Sequence, residues 1–236
     1  MAGENARLAV LIDADNASSA SIQELLAEVA KFGTATVKRA FGDWTTNNLH
    51  GWKQHLHRHA IQPIQQFAYT SGKNSTDSAF IIDAMDLLYA GNLDGFCLVS
   101  SDSDFTRLAT RLREAGKVVY GFGERKTPEP FIAACDRFFF LEVLRQPATD
   151  EAAPRVADLP DLEEIIRHAL EETARENGWA RLGAVGGHIG KRHTSFDPRN
   201  YGFAKLSNLV RAQKYLEVGE VTDVSGSPHL QVRLKS

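Results

Sequence analysis

The first half of the chain alternates short apolar runs with longer segments whose apolar residues repeat every three or four positions. Continuous short runs are typical of strands that a sheet buries on both faces, and the longer repeats indicate amphipathic helices. The predicted elements are strands at 8–12, 34–42, 61–69, 95–100, 117–123 and 137–142, and helices at 21–32, 46–60, 76–90 and 104–116. Because strands and helices alternate, we expect an α/β fold with a parallel sheet covered on both faces.

This pattern stops at RQPATDEAAPRVADLP, residues 145–160, which has three prolines and no periodicity and is typical of a linker. Beyond it, the pattern predicts helices at 162–178, 182–193 and 201–213, then two β-rich pieces at 215–221 and 229–235. A small helical unit that ends in a hairpin has the shape of a winged helix. We therefore predict two domains, 1–144 and 160–236, joined by a linker at 145–159.

Composition narrows the functional classes. The 236 residues carry a formal net charge of -3, which argues against a protein that coats nucleic acid by bulk charge. Charge is uneven, however, because residues 178–215 hold seven Lys and Arg against a single acidic residue, Asp197. Two cysteines in apolar segments and no signal peptide predict a cytoplasmic protein. No apolar stretch approaches the roughly 18 residues of a membrane span, so we expect no membrane partner.

Aspartates gather where predicted strands end and helices begin: Asp13, Asp15, Asp77, Asp102 and Asp104. Ligands of parallel α/β sheets bind beyond the carboxyl ends of the strands, so these side chains should meet at one edge. Close carboxylates repel one another, and a hard divalent cation such as Mg²⁺ removes that repulsion and makes a bound water a better nucleophile. The alternative is that each aspartate only caps a helix.

Three segments resemble the three motifs of the NYN domain, a branch of the PIN-like nuclease superfamily. They are LIDADN, GKNSTDSAFIIDA and SSDSDF, in the family's order within about residues 7–142. The matching positions are Asp13 and Asn16, then Lys73, Asp77 and Asp83, and finally Asp102 and Asp104. Lys73 stands one residue further from Asp77 than in the family pattern, and Ser101 stands where a glycine is common.

The NYN resemblance implies a Rossmann-like, three-layer α/β sandwich that cleaves RNA with Mg²⁺ or Mn²⁺. By the match, Asp13, Asp77, Asp102 and Asp104 would hold the metal, and Asn16 would position a ligand or water. Lys73 and Asp83 would have secondary roles. Helical spacing places Asp83 about 120° around from Asp77, so it lines the edge of the site or is merely solvated.

The C-terminal segment LGAVGGHIGKRHTSFDPRNYGFAKLSNLVRAQKYLEV resembles the OST-HTH, or LOTUS, domain over about residues 160–236. The resemblance implies a winged-helix shape and RNA binding. Six basic residues could contact phosphates: Lys191, Arg192, Arg199, Lys205, Arg211 and Lys214. The alternative is that most are solvated surface charges. Aromatic and aliphatic residues between Tyr201 and Val210 have the spacing of a packed helix, so we expect them in the core.

The sequence as a whole predicts a metal-dependent endoribonuclease that hydrolyses RNA phosphodiester bonds, joined to a module that binds RNA. A catalytically inactive RNA-binding adaptor with the same two domains is the alternative. A metal-dependent phosphatase or a DNA-directed nuclease is a further alternative from the same chemistry. The sequence does not decide the oligomeric state, and a homodimer stays open.

Overall fold

A sheet of six parallel strands forms the centre of the N-terminal unit in the computed structural model, which describes residues 6–67, 75–144, 159–222 and 228–235. Its strands are β1 (Arg7–Asp13), β2 (Thr34–Gly42), β3 (Gln62–Gln65), β4 (Gly95–Val99), β5 (Val118–Gly123) and β6 (Arg137–Phe140). They lie in the order β3-β2-β1-β4-β5-β6. The predicted α/β sandwich is therefore confirmed.

Helices cover both faces of this sheet. They are α1 (Ile22–Val29), α2 (Lys53–His59), α3 (Ser75–Tyr89), α4 (Thr106–Glu114), α5 (Glu129–Ala134) and α6 (Leu141–Leu144). Alternate residues of β1 enter opposite layers: Leu8, Val10 and Ile12 pack in the layer that contains α1. Ala9 and Leu11 pack in the layer of α3, α4 and α5. Burial on both faces explains why the strands have continuous apolar runs.

Helix α4 illustrates how the apolar pattern directs local structure. Leu108, Ala109 and Leu112 recur at helical spacing and are buried against the sheet, and basic residues occupy the solvent side. The helix ends before Gly116, whose φ of 76° lies in the left-handed region that glycine tolerates. The predicted helix at 104–116 is thus confirmed, with its first residues forming a 3-10 turn at Ser103–Phe105.

The C-terminal unit has its own core and a small antiparallel sheet. Its helices are α7 (Leu162–Thr173), α8 (Leu182–Arg192) and α9 (Leu206–Arg211), and its strands are β7 (Ala180–Arg181), β8 (Leu216–Thr222) and β9 (Pro228–Leu234). The sheet order is β7-β9-β8, so the hairpin of β8 and β9 agrees with the predicted winged shape. Tyr201, Leu209 and Val210 are buried in this core, as predicted.

The structure also corrects several predicted boundaries. Helices α5 and α6 and strand β7 were not predicted, because each is too short to produce a periodic signal, and α6 takes the end of the strand predicted at 137–142. The predicted helix at 201–213 is instead a 3-10 turn at Pro198–Tyr201 followed by α9. The left-handed Gly202, with φ of 85°, separates the two. By its internal contacts the chain divides into Met1–Gln146 and Pro147–Ser236. Among the described residues, no helix has the length and apolarity of a membrane span.

Candidate metal centre

The strand order of the six-stranded sheet reverses between β1 and β4: β2 and β3 extend the sheet on one side of β1, and β4, β5 and β6 extend it on the other. Strands β1 and β4 are neighbours, although two other strands and three helices separate them in sequence. Such a reversal of strand order leaves a crevice in which parallel α/β proteins bind ligands. Asp13 is the last residue of β1, and the segment Ser100–Asp104 follows β4, so both polar segments lie at this crevice.

Asp13 is fully buried at the end of β1. Its Oδ2 accepts hydrogen bonds from Asn16 Nδ2 and Ser100 Oγ, both at 2.8 Å. Its Oδ1 is buried and has no hydrogen-bond partner among the described residues. Burial raises the pKa of Asp13 and the charge of Asp15 adds to that rise, whereas the two hydrogen bonds oppose it. A buried, unpartnered carboxylate oxygen is costly unless a cation or donor reaches it.

Asp102 and Asp104 are held by the 3-10 turn that follows β4. The backbone N–H of Asp104 donates to Oδ1 of Asp102 at 2.9 Å, so Asp102 is the N-cap of this turn. The N–H of Asp102 in turn donates to Ser100 Oγ at 3.1 Å. Asp102 therefore caps this turn, as one of the two predicted roles requires. Capping occupies one lone pair of one oxygen and leaves the carboxylate able to bind a cation as well.

Three carboxylates from two distant segments converge at this edge. Asp77, in the first turn of α3, has an oxygen within 4.8 Å of oxygens of both Asp102 and Asp104, which also lie within that distance of each other. Burial raises the pKa of Asp77 to about 6, and the charges of Asp13, Asp102, Asp104 and Asp15 contribute to the rise. Asp77 therefore lies within electrostatic reach of these four aspartates.

The donor set fits a hard divalent cation. Oxygen ligands at close range are what Mg²⁺ and Mn²⁺ prefer, whereas Zn²⁺ and copper select nitrogen and sulfur. Burial, with neighbouring negative charge, raises the pKa of both Asp13 and Asp77, so the ionised form of these carboxyl groups is costly without a cation. The unpartnered Oδ1 of Asp13 points to the same need. A bound cation would offset the repulsion between the carboxylates, offset the burial of their charge and give Oδ1 of Asp13 a partner.

Comparison with known proteins agrees with this geometry. The model of the NYN domain matches residues 7–142, which is more than half of the chain. The chain belongs to the NYN domain family. The model of the OST-HTH/LOTUS domain matches residues 157–226. The two matches confirm both predicted resemblances. NYN domains are related to PIN-like nucleases, and OST-HTH/LOTUS is an RNA-binding type of domain. No curated protein matches the chain.

Several solved structures resemble parts of this NYN protein. A protein of unknown function from Vibrio parahaemolyticus is 18% identical, with 58% of this chain and 94% of that chain covered and a TM-score of 0.48. An uncharacterised protein from Nitrosomonas europaea is 30% identical over 38% of this chain and 93% of that chain, with a TM-score of 0.29. A protein from Chromobacterium violaceum is 38% identical over 35% of this chain and 87% of that chain, with a TM-score of 0.28.

The remaining motif residues of the NYN domain occupy different surroundings. Asn16 contacts Asp13 directly and so orients its carboxylate. Asp83 forms an ion pair with Arg39 of β2, and both side chains are about three-quarters buried. Lys73 lies outside the described residues.

Two polar contacts of the NYN domain were not predicted. Ser100 joins Asp13 to the turn of Asp102 through its hydroxyl, and a serine at a strand end gave no motif signal. Thr76 Oγ1 donates to Oδ2 of Asp15 at 2.9 Å. That bond ties the loop after β1 to the start of α3, where Asp77 follows. Both hydroxyls therefore hold carboxylate-bearing segments together at the edge of the sheet.

The basic residues of the OST-HTH domain divide into exposed and paired groups. Lys191 and Arg192, in the last turn of α8, are exposed, as are Lys205 and Lys214. Arg211 is exposed and pairs with Glu220 at 3.2 Å. Arg199 is partly buried and pairs with Asp197 at 2.7 Å. The exposed group has the charge and accessibility that phosphate contacts require.

Proposed function

We propose that this protein is a metal-dependent endoribonuclease whose C-terminal OST-HTH domain binds the RNA substrate. The observation that carries the proposal is the convergence of Asp77, Asp102 and Asp104, with oxygens within 4.8 Å of one another. The buried, unpartnered oxygen of Asp13 supports it. Membership of the NYN family, related to PIN-like nucleases, supports the same chemistry.

The proposal divides the site residues into those that hold the cation and one that positions a ligand. Asp77, Asp102, Asp104 and Asp13 would hold Mg²⁺ or Mn²⁺. The cation supplies positive charge that lowers the pKa of water and stabilises the negative charge that develops on a phosphodiester. Asn16 donates to Oδ2 of Asp13, which leaves Oδ1 as the carboxylate oxygen available to a cation.

The OST-HTH domain would raise the local concentration of RNA at the nuclease domain. Exposed basic residues supply affinity that depends on salt and is largely independent of sequence. A second binding domain on the same chain makes the encounter with the nuclease domain effectively intramolecular. Lys191, Arg192, Lys205 and Lys214 are the exposed candidates for these contacts.

The test is cleavage of a labelled single-stranded RNA by the pure protein with Mn²⁺ and with EDTA. We expect metal-dependent cleavage that the Asp13→Asn, Asp102→Asn double variant loses by at least a thousandfold. Asp86→Asn is the matched control, because Asp86 is exposed on α3 outside the cluster. Mn²⁺ binding, measured by electron paramagnetic resonance, should weaken in the double variant only.

The same experiment separates the alternatives. RNA binding without cleavage under any divalent ion would favour the inactive adaptor. Faster hydrolysis of single-stranded DNA or of a small phosphate ester would favour a nuclease or phosphatase of another substrate class. Equal cleavage by the parent and the double variant would place the activity at a different site and overturn the proposal.

A further inference from the structure

A groove between α3 and α4 begins at the metal centre. It has a volume of about 330 Å³ and is open to solvent. Ile81 and Met85 of α3 form one side, and Arg107 and Arg111 of α4 lie on the other. Asp104, which belongs to the carboxylate cluster, also lines it, so the groove and the cluster share a residue. We call this feature the α3–α4 groove.

The α4 side of the α3–α4 groove has two exposed arginines, and the exposed Glu114 lies at its far end, three residues beyond Arg111. Arg107 and Arg111 are four residues apart, so they share one face of α4. Neither forms an ion pair with a carboxylate of the described residues. Arg113 of the same helix, by contrast, pairs with Asp136 at 3.0 Å. Two arginines with free guanidinium groups next to an acidic cluster have the geometry for binding an anion that approaches the cluster.

The other side of the groove is apolar and continues along α3. Ile81, Met85 and Tyr89 are spaced by four residues, so they form a line on one face of the helix. Tyr89 is 72% exposed, the largest exposure among the large apolar and aromatic side chains of the described residues. Exposed aromatic rings stack on nucleobases without regard to sequence. An apolar line facing a basic line suits a strand with bases on one side and phosphates on the other.

We propose that the α3–α4 groove holds the single-stranded RNA segment on one side of the cleaved bond. This inference rests on the proposed nuclease function, because it assigns a substrate path to the same site. Arg107 and Arg111 bind the phosphates of this segment, and Tyr89 stacks on a base where the segment leaves the groove. A single strand fits because its unpaired bases can reach the apolar side. An acidic protein segment has no phosphodiester bond for the cluster to act on and no bases to stack on Tyr89, so it would use only the basic side of the groove.

The test is the salt dependence of RNA binding by the full chain. A fluorescein-labelled, 20-nucleotide single-stranded RNA is titrated without divalent metal, so that binding is measured in the absence of cleavage. Loss of two phosphate contacts in the Arg107→Gln, Arg111→Gln double variant should lower the slope of log K against log salt by about 1.4. The affinity should fall by about tenfold at 0.1 M salt.

Matched variants separate a groove effect from a general loss of charge or fold. Arg113→Gln also removes one positive charge from α4, but the ion pair of Arg113 with Asp136 already neutralises that charge, so the slope should not change. Tyr89→Ala should weaken binding about fivefold with an unchanged slope, because stacking releases no counterions. Mn²⁺ binding of each variant should match that of the parent, and so should the thermal unfolding of the variants at Arg107, Arg111 and Tyr89.

The groove proposal would be overturned if the Arg107→Gln, Arg111→Gln double variant bound RNA with the affinity and the salt slope of the parent. Displacement of the labelled RNA from the parent, but not from the double variant, by a short poly-glutamate peptide would instead indicate a protein partner. Failure of the nuclease proposal is recognised separately. In that case the parent fails to cleave RNA with Mn²⁺, whereas the binding slopes still differ between the parent and the double variant.

Discussion

The hydroxyl of Ser100 donates to Oδ2 of Asp13 at 2.8 Å, and Oγ of the same hydroxyl accepts the N–H of Asp102 at 3.1 Å. One buried hydroxyl thus connects the end of β1 to the turn after β4. The two segments are 87 residues apart in sequence, and parallel pairing of β1 with β4 brings them together. Ser100 is therefore a positioning residue that fixes one carboxylate relative to another.

We predict that Ser100→Ala weakens the metal centre. The substitution removes a donor from Asp13 and an acceptor from the Asp102 N–H in one step. Loss of a residue that orients metal ligands typically costs 10–100-fold in metal affinity or activity. We expect a decrease of about that size in Mn²⁺ affinity, measured by electron paramagnetic resonance, and a parallel decrease in RNA cleavage.

Ser103→Ala is the matched control for this variant. Ser103 is exposed in the same turn, and its backbone carbonyl makes the contact with Thr106, so the substitution leaves that bond intact. Its Mn²⁺ affinity should equal that of the parent. If Ser100→Ala also binds Mn²⁺ as the parent does, while only its thermal stability falls, the positioning role is wrong and Ser100 is a structural residue.

The burial of Asp77 and its repulsion by neighbouring carboxylates give a second prediction, which needs no substrate. The folded-state pKa of Asp77 is about 6, above the ordinary 3.8, so the folded protein holds this proton more tightly than the unfolded chain does. Stability of the metal-free protein therefore falls as the pH rises through this interval. In EDTA at pH 8, Asp77→Asn should be more stable than the parent by roughly 1–2 kcal/mol, allowing for partial solvent screening.

Calorimetric unfolding at two pH values checks the sign of this effect. The gain should disappear near pH 4, where the parent carboxyl is also protonated in the folded state. Added Mn²⁺ should reverse the order, because the parent then gains binding energy that the variant lacks. Asp86→Asn, on the exposed side of α3, should change stability little at either pH. A destabilised Asp77→Asn variant in EDTA at pH 8 would contradict the prediction.

The strand ends and their aspartates could be predicted because burial on both faces leaves a clear apolar run. Asp13 ends such a run directly after Ile12, and Asp102 comes three residues after Val99, where the next run ends. The strand order could not be obtained in this way, since adjacent pairing of β1 and β4 depends on contacts between distant segments. The convergence of Asp77 with Asp102 at one edge was still predictable, because strand ends and helix starts meet at the carboxyl edge of a parallel sheet, and the family resemblance predicted the same set.

Side-chain partners were the least predictable part of the site. Helical spacing left Asp83 as either a site residue or a solvated one, and its contact is with Arg39 of β2. Nothing in the sequence near Asp83 indicates this partner, because β2 lies more than forty residues earlier and its register against α3 is a tertiary property. Ser100 was missed for the same reason, since its significance comes from reaching two other segments at once.

The Arg39–Asp83 ion pair yields a third prediction. Removing one partner leaves the other charge partly buried without compensation, so Asp83→Asn should destabilise the protein by about 2 kcal/mol. Mn²⁺ affinity should not change, because the carboxylate already has a cationic partner. The expected pattern is the reverse of that for Asp102→Asn, which should lose Mn²⁺ binding. Urea unfolding and Mn²⁺ titration of the two variants provide the measurements.

A double substitution completes the test of this pair. Arg39→Met with Asp83→Leu replaces both charges by apolar groups, and such replacements are often neutral or stabilising. Stability should therefore recover relative to Asp83→Asn alone. Tenfold weaker Mn²⁺ binding by Asp83→Asn, with unchanged stability, would instead assign Asp83 to the metal centre.

The last prediction concerns the two kinds of basic residue in the OST-HTH domain. Arg199 holds Asp197 through Nε and Nη2, at 3.0 and 2.7 Å, and Asp197 also caps the turn at Pro198–Tyr201. Arg199→Gln should therefore lower the stability of this domain by about 1–2 kcal/mol and leave the salt slope of RNA binding unchanged.

The exposed pair should behave in the opposite way: the Lys191→Gln, Arg192→Gln double variant should keep its stability and lose about 1.4 from the slope. A reduced slope for Arg199→Gln at unchanged stability would mean that RNA displaces Asp197 from its arginine, and the ion pair would then be part of the binding surface.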